Sequence, residues 1–95
     1  MAAYIIADVD ITDPAKYDRY RALSPGAVAA NGGRFIARGG EVVPCEGGWT
    51  PSRVVIIEFP DLAAARKFYD SPEYREARAA RAGAANFRMI AVDGV

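Results

Sequence analysis

A run of β-branched residues from Arg53 to Phe59, RVVIIEF, predicts a strand that is apolar on both of its faces. Successive side chains of a strand point to opposite faces of the sheet, and here each face carries at least two large apolar side chains. The run from Tyr4 to Ile11 begins with the same character. A sheet that contains these strands needs an apolar cover on both sides, because a large exposed apolar patch is unfavourable on a monomer.

Helix caps, prolines and glycines divide the rest of the chain into further elements. Pro25 lies inside the first helical pattern and should kink or divide that helix near Ser24. The glycine pair at 39–40 should interrupt the second strand with a bulge or bend. The predicted strands are Tyr4–Ile11, Arg34–Arg38 with a continuation over Glu41–Cys45, Arg53–Phe59 and Phe87–Val92, and the predicted helices run from Pro14 to Asn31, over Leu62–Tyr69 and from Pro72 to about Ala82.

The resulting order, β, α, β, β, α with an extra short helix, β, is that of the split βαβ motif. It predicts an α+β fold, a ferredoxin-like βαββαβ sandwich in which the helices cover one face of a four-stranded antiparallel sheet. We expect the 95 residues to form a single domain, 1–95. A domain of this size buries only about two thirds of the surface of its unfolded chain, so a second copy would supply additional core.

The sheet face opposite the helices, called the open face below, should combine large aliphatic side chains with charges. An identical subunit packed sheet to sheet would cover this face, because a two-fold interface needs only one self-complementary surface. We therefore predict a homodimer. The charges either neutralise one another in an ion-pair network or leave one group free for a ligand. The aliphatic residues are Ile6, Val54, Ile56 and Ile90, and the charged ones are Asp8, Arg38, Glu58 and Arg88.

Charge and composition argue against several classes of partner. Twelve basic residues balance twelve acidic ones, so the chain has no net field to hold a nucleic acid or an anionic membrane, and we expect neither partner. The start, MAAYIIADVD, has no basic leader and no spanning length, and the lone Cys45 agrees with a reducing compartment, so we expect a cytoplasmic protein. The chain has no histidine and its glycine pairs lack phosphate-loop spacing, so we expect no metal and no cofactor.

Four segments occur in an order typical of one family: YIIADVDITDP, GGRFIARGGE, GGWTPSRVVIIEFPD and FYDSPEYREAR. Together they resemble the domain-of-unknown-function 1330 family, a branch of the dimeric α/β-barrel superfamily. The resemblance implies a ferredoxin-like protomer whose sheet packs against that of a second subunit, and it implies no established activity. Relatives in the wider superfamily include cofactor-free monooxygenases, muconolactone isomerase-like enzymes, haem-degrading enzymes and stress-responsive barrels. The absence of histidine disfavours the haem-degrading branch.

The grouping of Arg38, Glu41, Arg53 and Glu58 resembles the polar positions of this family. Arg38 could hold a carboxylate through two parallel hydrogen bonds. Glu58 is the candidate catalytic base, provided that an apolar cleft raises its pKa, whereas a neighbouring Arg38 would lower that pKa and leave a salt bridge.

The segment FYDSPEY adds Tyr69, Ser71 and Tyr74 as candidate ligand-binding residues. Ser71 is also explained as the cap of the helix that begins at Pro72. The two tyrosines could instead pack as apolar rings. Tyr17 and Tyr20 belong to the buried stripe of the first helix, and a pocket between that helix and the sheet would change this interpretation.

Two further features have both a structural and a functional interpretation. Arg75, Arg78 and Arg81 recur every three residues without an acidic residue at pairing distance, which is typical of a solvated face but could also meet an anion. Trp49 could anchor the long loop on the second subunit or close a pocket.

Our leading hypothesis is a homodimer with a small-molecule pocket beside the sheet. The pocket could support cofactor-independent proton-transfer or oxygenase-type chemistry on a small polar or aromatic substrate. The alternative is a non-catalytic ligand-binding or structural module, in which the charged residues form an interface network.

Overall fold

The structure, a computed structural model, describes all residues from Met1 to Val95. It contains four strands and three helices in the predicted order. The strands are β1 (Ala3–Ile11), β2 (Arg34–Arg38), β3 (Val54–Phe59) and β4 (Ala85–Asp93), and the helices are α1 (Pro14–Ala30), α2 (Leu62–Asp70) and α3 (Pro72–Arg81).

The four strands form one sheet in the order β2-β3-β1-β4. All three pairings, β1 with β3, β1 with β4 and β2 with β3, are antiparallel. The predicted α+β, ferredoxin-like architecture is confirmed. The Cα atoms extend over 32 × 31 × 16 Å, so a single layer of helices lies on a single sheet.

The core lies between the helices and the face of the sheet that the alternation predicted. Ile5, Ala7 and Val9 of β1 are buried together with Ile57 and Phe59 of β3. The helices contribute buried aromatic rings, and the Phe68 and Tyr74 ring centroids lie 4.3 Å apart. The open face carries the alternate side chains of each strand, which point away from the helices.

The first helix is continuous through Pro25, so the predicted division near Ser24 is wrong. A proline removes one backbone hydrogen bond from the helix, and packing on either side can offset that loss. Here Tyr20 and Ser24 before the proline and Val28 after it are all buried against the sheet. The Asp13 side chain caps the start of the helix by accepting from the backbone N–H of Lys16 at 3.1 Å.

The second strand differs from the prediction in two ways. Its bulge lies between Phe35 and Ala37 rather than at the glycine pair. The strand ends at Arg38, and the predicted continuation over Glu41–Cys45 is wrong because that segment is part of a long loop.

None of the three helices combines the length and the apolar character needed to cross a bilayer.

Candidate functional site

A cavity lies between α1 and the sheet, at the side that carries β2. Tyr17, Tyr20 and Ser24 form its helical wall. Its volume is about 20 Å³, which is room for about one water molecule. The strands and the rest of α1 add Ala7, Val28, Phe35, Arg38, Arg53, Val55, Ile57, Phe87 and Met89. Apart from the two arginines and the Ser24 hydroxyl, this lining is apolar or phenolic, and it contains no carboxylate.

The β-bulge decides that Arg38 reaches this cavity. Phe35 lies opposite Ile57 and Ala37 opposite Ile56, so Ile36 is the extra residue of β2. One extra residue reverses the alternation of side chains beyond it. Arg38 therefore lies opposite Val55 on the helix side, and its guanidinium stacks over the ring of Phe35 at 4.3 Å.

The predicted position of Arg38 on the open face beside Glu58 is accordingly wrong. That position assumed an uninterrupted alternation of side chains through β2, and nothing in the composition of RFIAR marks Ile36 as the bulged residue. Of the four charged residues predicted for the open face, Arg38 therefore lies at the cavity instead.

Arg53 enters the same cavity from the residue before β3. Its backbone carbonyl accepts a hydrogen bond from Val9 N at 2.9 Å, which fixes the start of its side chain beside β1. Its guanidinium lies directly over Gly39, where a Cβ atom would collide with Arg53 Nη1, and Gly39 has a φ of +70°. Glycine at position 39 thus provides both the turn after β2 and the space for this side chain.

Neither cavity arginine has an acidic partner. The only two ion pairs of the protein are Arg34 with Glu58 and Arg88 with Asp8. The Nε atom of Arg53 is buried and has no hydrogen-bond partner. Buried polar groups are normally hydrogen-bonded, so this donor marks a position where an acceptor is missing.

The phenols of the cavity are hydrogen-bond donors at neutral pH. Burial raises the pKa of Tyr17, and the nearby positive charge of Arg53 opposes part of that increase. Burial also raises the pKa of Tyr20, whose hydroxyl shares a 2.7 Å hydrogen bond with the hydroxyl of Tyr74. Both phenols stay protonated, so they favour a ligand that accepts hydrogen bonds.

Glu58, the predicted base, lies on the open face and not in the cavity. Its Oε1 atom accepts a hydrogen bond from Arg34 Nε at 2.8 Å, and 25% of its side chain is exposed. Asp8 and Arg88 form the second pair of this face, with Arg88 Nη2 donating to Asp8 Oδ2 at 2.6 Å. The open-face charges are therefore paired, through Arg34 in place of the expected Arg38.

The segment FYDSPEY does not converge on the cavity wall. Ser71 caps α3 by accepting from Tyr74 N at 3.2 Å, and its hydroxyl donates to Phe68 O at 2.7 Å. Tyr74 is fully buried in the core behind Tyr20. Tyr69 lies elsewhere, in a groove beside α2, where Arg78 stacks over its ring at 4.2 Å.

The loop between β2 and β3, residues 39–53, folds over part of the open face. Trp49 Nε1 donates to Asp8 Oδ2 at 3.1 Å and so ties the loop to β1. A cleft of about 490 Å³ lies between the loop and the sheet, with Ile6 and Ile56 on the sheet side and Glu41 on the loop side. The loop is thus a partial cover, and Ile90 beyond it is 61% exposed.

Sequence reasoning missed the cavity as a unit because it assigned Tyr17 and Tyr20 to the core and Arg38 to the opposite face. The available signal was the position of Arg53, which shares the alternation of Val55 and Ile57 and so had to point toward the helices.

No group of three or more His, Cys, Asp or Glu side chains in the protein gathers closely enough to hold a metal ion.

The sequence from residue 2 to residue 95 matches DUF1330, a domain of unknown function. The chain belongs to the DUF1330 family. The identification agrees with the resemblance found in the four sequence segments, and the matched residues include both Arg38 and Arg53. A search of curated protein sequences finds no match.

Solved structures with the same fold extend the comparison. RPA0582, a protein of unknown function from Rhodopseudomonas palustris, superposes with a TM-score of 0.73 at 21% identity, over 99% of this chain and 82% of that one. A dimeric ferredoxin-like protein of unknown function from Jannaschia sp. CCS1 gives a TM-score of 0.73 at 13% identity, over 99% and 100%. SnoaB from Streptomyces nogalater, a cofactor-independent oxygenase, gives 0.69 at 16% identity, over 99% and 93%. At these identities the DUF1330 chain shares their fold.

Proposed function

We propose that this DUF1330 protein is a homodimer that binds a small organic anion in the cavity between α1 and the sheet, with Arg38 and Arg53 holding the anionic group. The observation that carries the proposal is that two arginines without acidic partners meet at one phenol-lined cavity. A carboxylate is the simplest anion that matches the fork of a guanidinium.

A bound anion would compensate the positive charge of the two arginines. A cation near an apolar cavity is unfavourable unless it is hydrogen-bonded or paired. Arg38 gains some stabilisation from the Phe35 ring, but Arg53 has a buried Nε without an acceptor. A bound carboxylate would provide the charge and the acceptor, and the protonated Tyr17 beside Arg53 could add a further hydrogen bond.

The cavity volume restricts how the ligand binds. About 20 Å³ does not hold an organic molecule, so side chains at the mouth must move. Arg38 is an exposed residue and can rotate outward, whereas Tyr20 is held by its hydrogen bond to Tyr74. Ligand binding should therefore reorganise the β2 side of the cavity and leave the tyrosine pair in place.

The proposed dimer rests on the open face. Apolar side chains there and in the neighbouring loop remain exposed in one protomer, and a second sheet would cover them. The solved structure from Jannaschia is described as a dimer of the same fold. The exposed fractions are 61% for Ile90, 42% for Val92, 71% for Val43 and 56% for Trp49.

We also propose a cytoplasmic location. The free, exposed thiol of Cys45 supports it, because a reducing compartment keeps such a thiol reduced.

Isothermal titration with a panel of small carboxylates tests the binding site. Arg53→Met should weaken binding of a responding carboxylate at least about ten-fold, because a charge-assisted hydrogen bond contributes about 1.5–3 kcal/mol. Arg34→Met, which removes an arginine of the open face, is the matched control and should leave that affinity unchanged. Equal effects of the two substitutions, or no binding by any carboxylate, would refute the proposal.

Cofactor-independent oxygenase or proton-transfer chemistry is the second candidate, and the fold shared with SnoaB supports it. In that case Glu58 would act on a substrate held against the open face, since its carboxylate lies there. Glu58→Gln should then abolish oxygen consumption with a phenol or quinol substrate while the dimer remains intact. Unchanged turnover in this variant would exclude Glu58 as the base.

A further inference from the structure

A second concavity, called the α2–β4 groove below, lies on the helix side along edge strand β4. Its volume is about 480 Å³, within the range of small-molecule sites. Ala65, Arg66 and Tyr69 of α2 form one wall, and Met89 and Ala91 of β4 lie among its apolar residues. It is therefore large enough for an aromatic ring without any rearrangement.

Arg81, at the end of α3, lines this groove and resembles Arg53 in its surroundings. Its guanidinium stacks over the Phe87 ring at 3.7 Å. Its Nε is buried without a hydrogen-bond partner, and it forms no ion pair, even though Asp70 lines the same groove. A guanidinium that stacks by its face keeps its N–H edge available for an acceptor.

The surroundings of Arg81 favour an anion with an apolar body. Arg66 lies in the same wall, and Arg78 stacks over Tyr69 with its own Nε buried and unpartnered. Two arginines, Arg66 and Arg81, thus line a groove that contains one carboxylate, Asp70. Met89 and Ala91 provide apolar surface for the rest of the ligand.

We propose that the α2–β4 groove is a second binding site, for a small aromatic carboxylate. The carboxylate accepts hydrogen bonds from the N–H edge of Arg81, and the ring packs against Met89 and Ala91. This site goes beyond the proposed function, because its anion-binding residue is Arg81 and its helical wall is α2, whereas the wall of the cavity is α1. Phe87 and Met89 line both the cavity and the groove, so the two sites are neighbours.

Titration of isotope-labelled protein with benzoate, followed by amide chemical shifts, tests this inference. Saturable shifts should appear in Phe87 to Ala91 and in α2. Arg81→Met should weaken the binding that these shifts report at least about ten-fold. Arg81→Lys keeps the charge but loses the fork, and it should also weaken binding. Arg75→Met, at an exposed position of the same helix, is the matched control and should leave it unchanged.

The outcomes separate the groove from the cavity. If Arg53→Met removes the cavity response and keeps the β4 and α2 shifts, the groove is an independent site, whatever the fate of the proposed function. If Arg53→Met also removes the groove shifts, those shifts report cavity binding and the inference is overturned. Absence of saturable groove shifts, or full affinity in folded Arg81→Met and Arg81→Lys, overturns it as well.

Discussion

The arginines on the two sides of the sheet have different partners. On the open face, Arg34 and Arg88 each donate to a carboxylate, at 2.8 and 2.6 Å. On the helix side, Arg38, Arg53 and Arg81 have no carboxylate and stack on aromatic rings or point into a cavity. The paired arginines complete a surface, whereas the unpaired ones have donors that a ligand could use.

The strand register explains the difference. Arg34 lies directly opposite Glu58, and Asp8 directly opposite Arg88, so antiparallel pairing itself creates both ion pairs. The bulge at Ile36 breaks this correspondence and moves Arg38 to the other side. Because of this single extra residue, Arg34 at the start of β2 pairs with Glu58 on the open face, whereas Arg38 at the end of β2 faces the cavity.

The largest expected effect is on assembly of the open face. Ile90→Asp places a carboxylate in the proposed sheet-to-sheet interface, where an unpaired charge is strongly unfavourable, and should convert the dimer to a monomer. Size-exclusion chromatography with light scattering measures this change. Ala79→Asp, an exposed position on α3, is the control and should leave the mass unchanged. A monomeric parent protein at micromolar concentration would contradict the interface.

Loss of the Arg38 guanidinium should have the next largest effect. Arg38→Met keeps the strand and its bulge but removes one of the two cations of the cavity, so affinity for the cavity carboxylate should fall roughly ten-fold, as isothermal titration would measure. Deletion of Ile36 removes only the extra residue and leaves Arg38 opposite Val55, so Arg38 should stay on the helix side and affinity should be preserved. Full affinity in Arg38→Met would show that Arg38 does not hold the anion.

Acid should release the loop from the open face before it affects the cavity. The Trp49 indole N–H and the Arg88 guanidinium hold the pKa of Asp8 below its ordinary value of 3.8. A lowered carboxylate pKa contributes stability that is fully present above the ordinary value and is lost as the pH falls through the folded-state pKa.

Trp49 is the only tryptophan, so its fluorescence reports this contact directly. The emission should change below pH 3.8, and Asp8→Asn should show the altered emission already at neutral pH. Identical emission for Asp8→Asn and the parent protein would show that the hydrogen bond does not hold the loop.

The smallest expected effect concerns the second ion pair. Glu58→Gln should lower the free energy of unfolding by at most about 1 kcal/mol, because Arg34 is largely exposed and such pairs contribute little. Chemical denaturation of Glu58→Gln, Arg34→Met and the double variant measures their coupling. A loss of several kcal/mol would mean that the pair is buried in the assembled dimer.

The sequence predicted the architecture because each element carried its own local signal. Asp13 and Ser71 cap helices as expected from their position before prolines, and the alternation in β1 and β3 correctly separated Ile5 and Ile57 from Ile6 and Ile56. The candidate site was harder to predict. Its residues come from α1, β2 and the residue before β3, which are distant in the chain, and their meeting depends on packing.

Local residue choice thus determined the strands, the caps, the element order and the apolar character of both sheet faces. Tertiary structure decided which charges meet. The strand register brought Arg34 to Glu58, a bulge without a sequence signal turned Arg38 toward the helices, and packing carried α1 through Pro25. The physical reason is that alternation is a local property, whereas register and bulges are selected by the fit of the whole sheet against its helices.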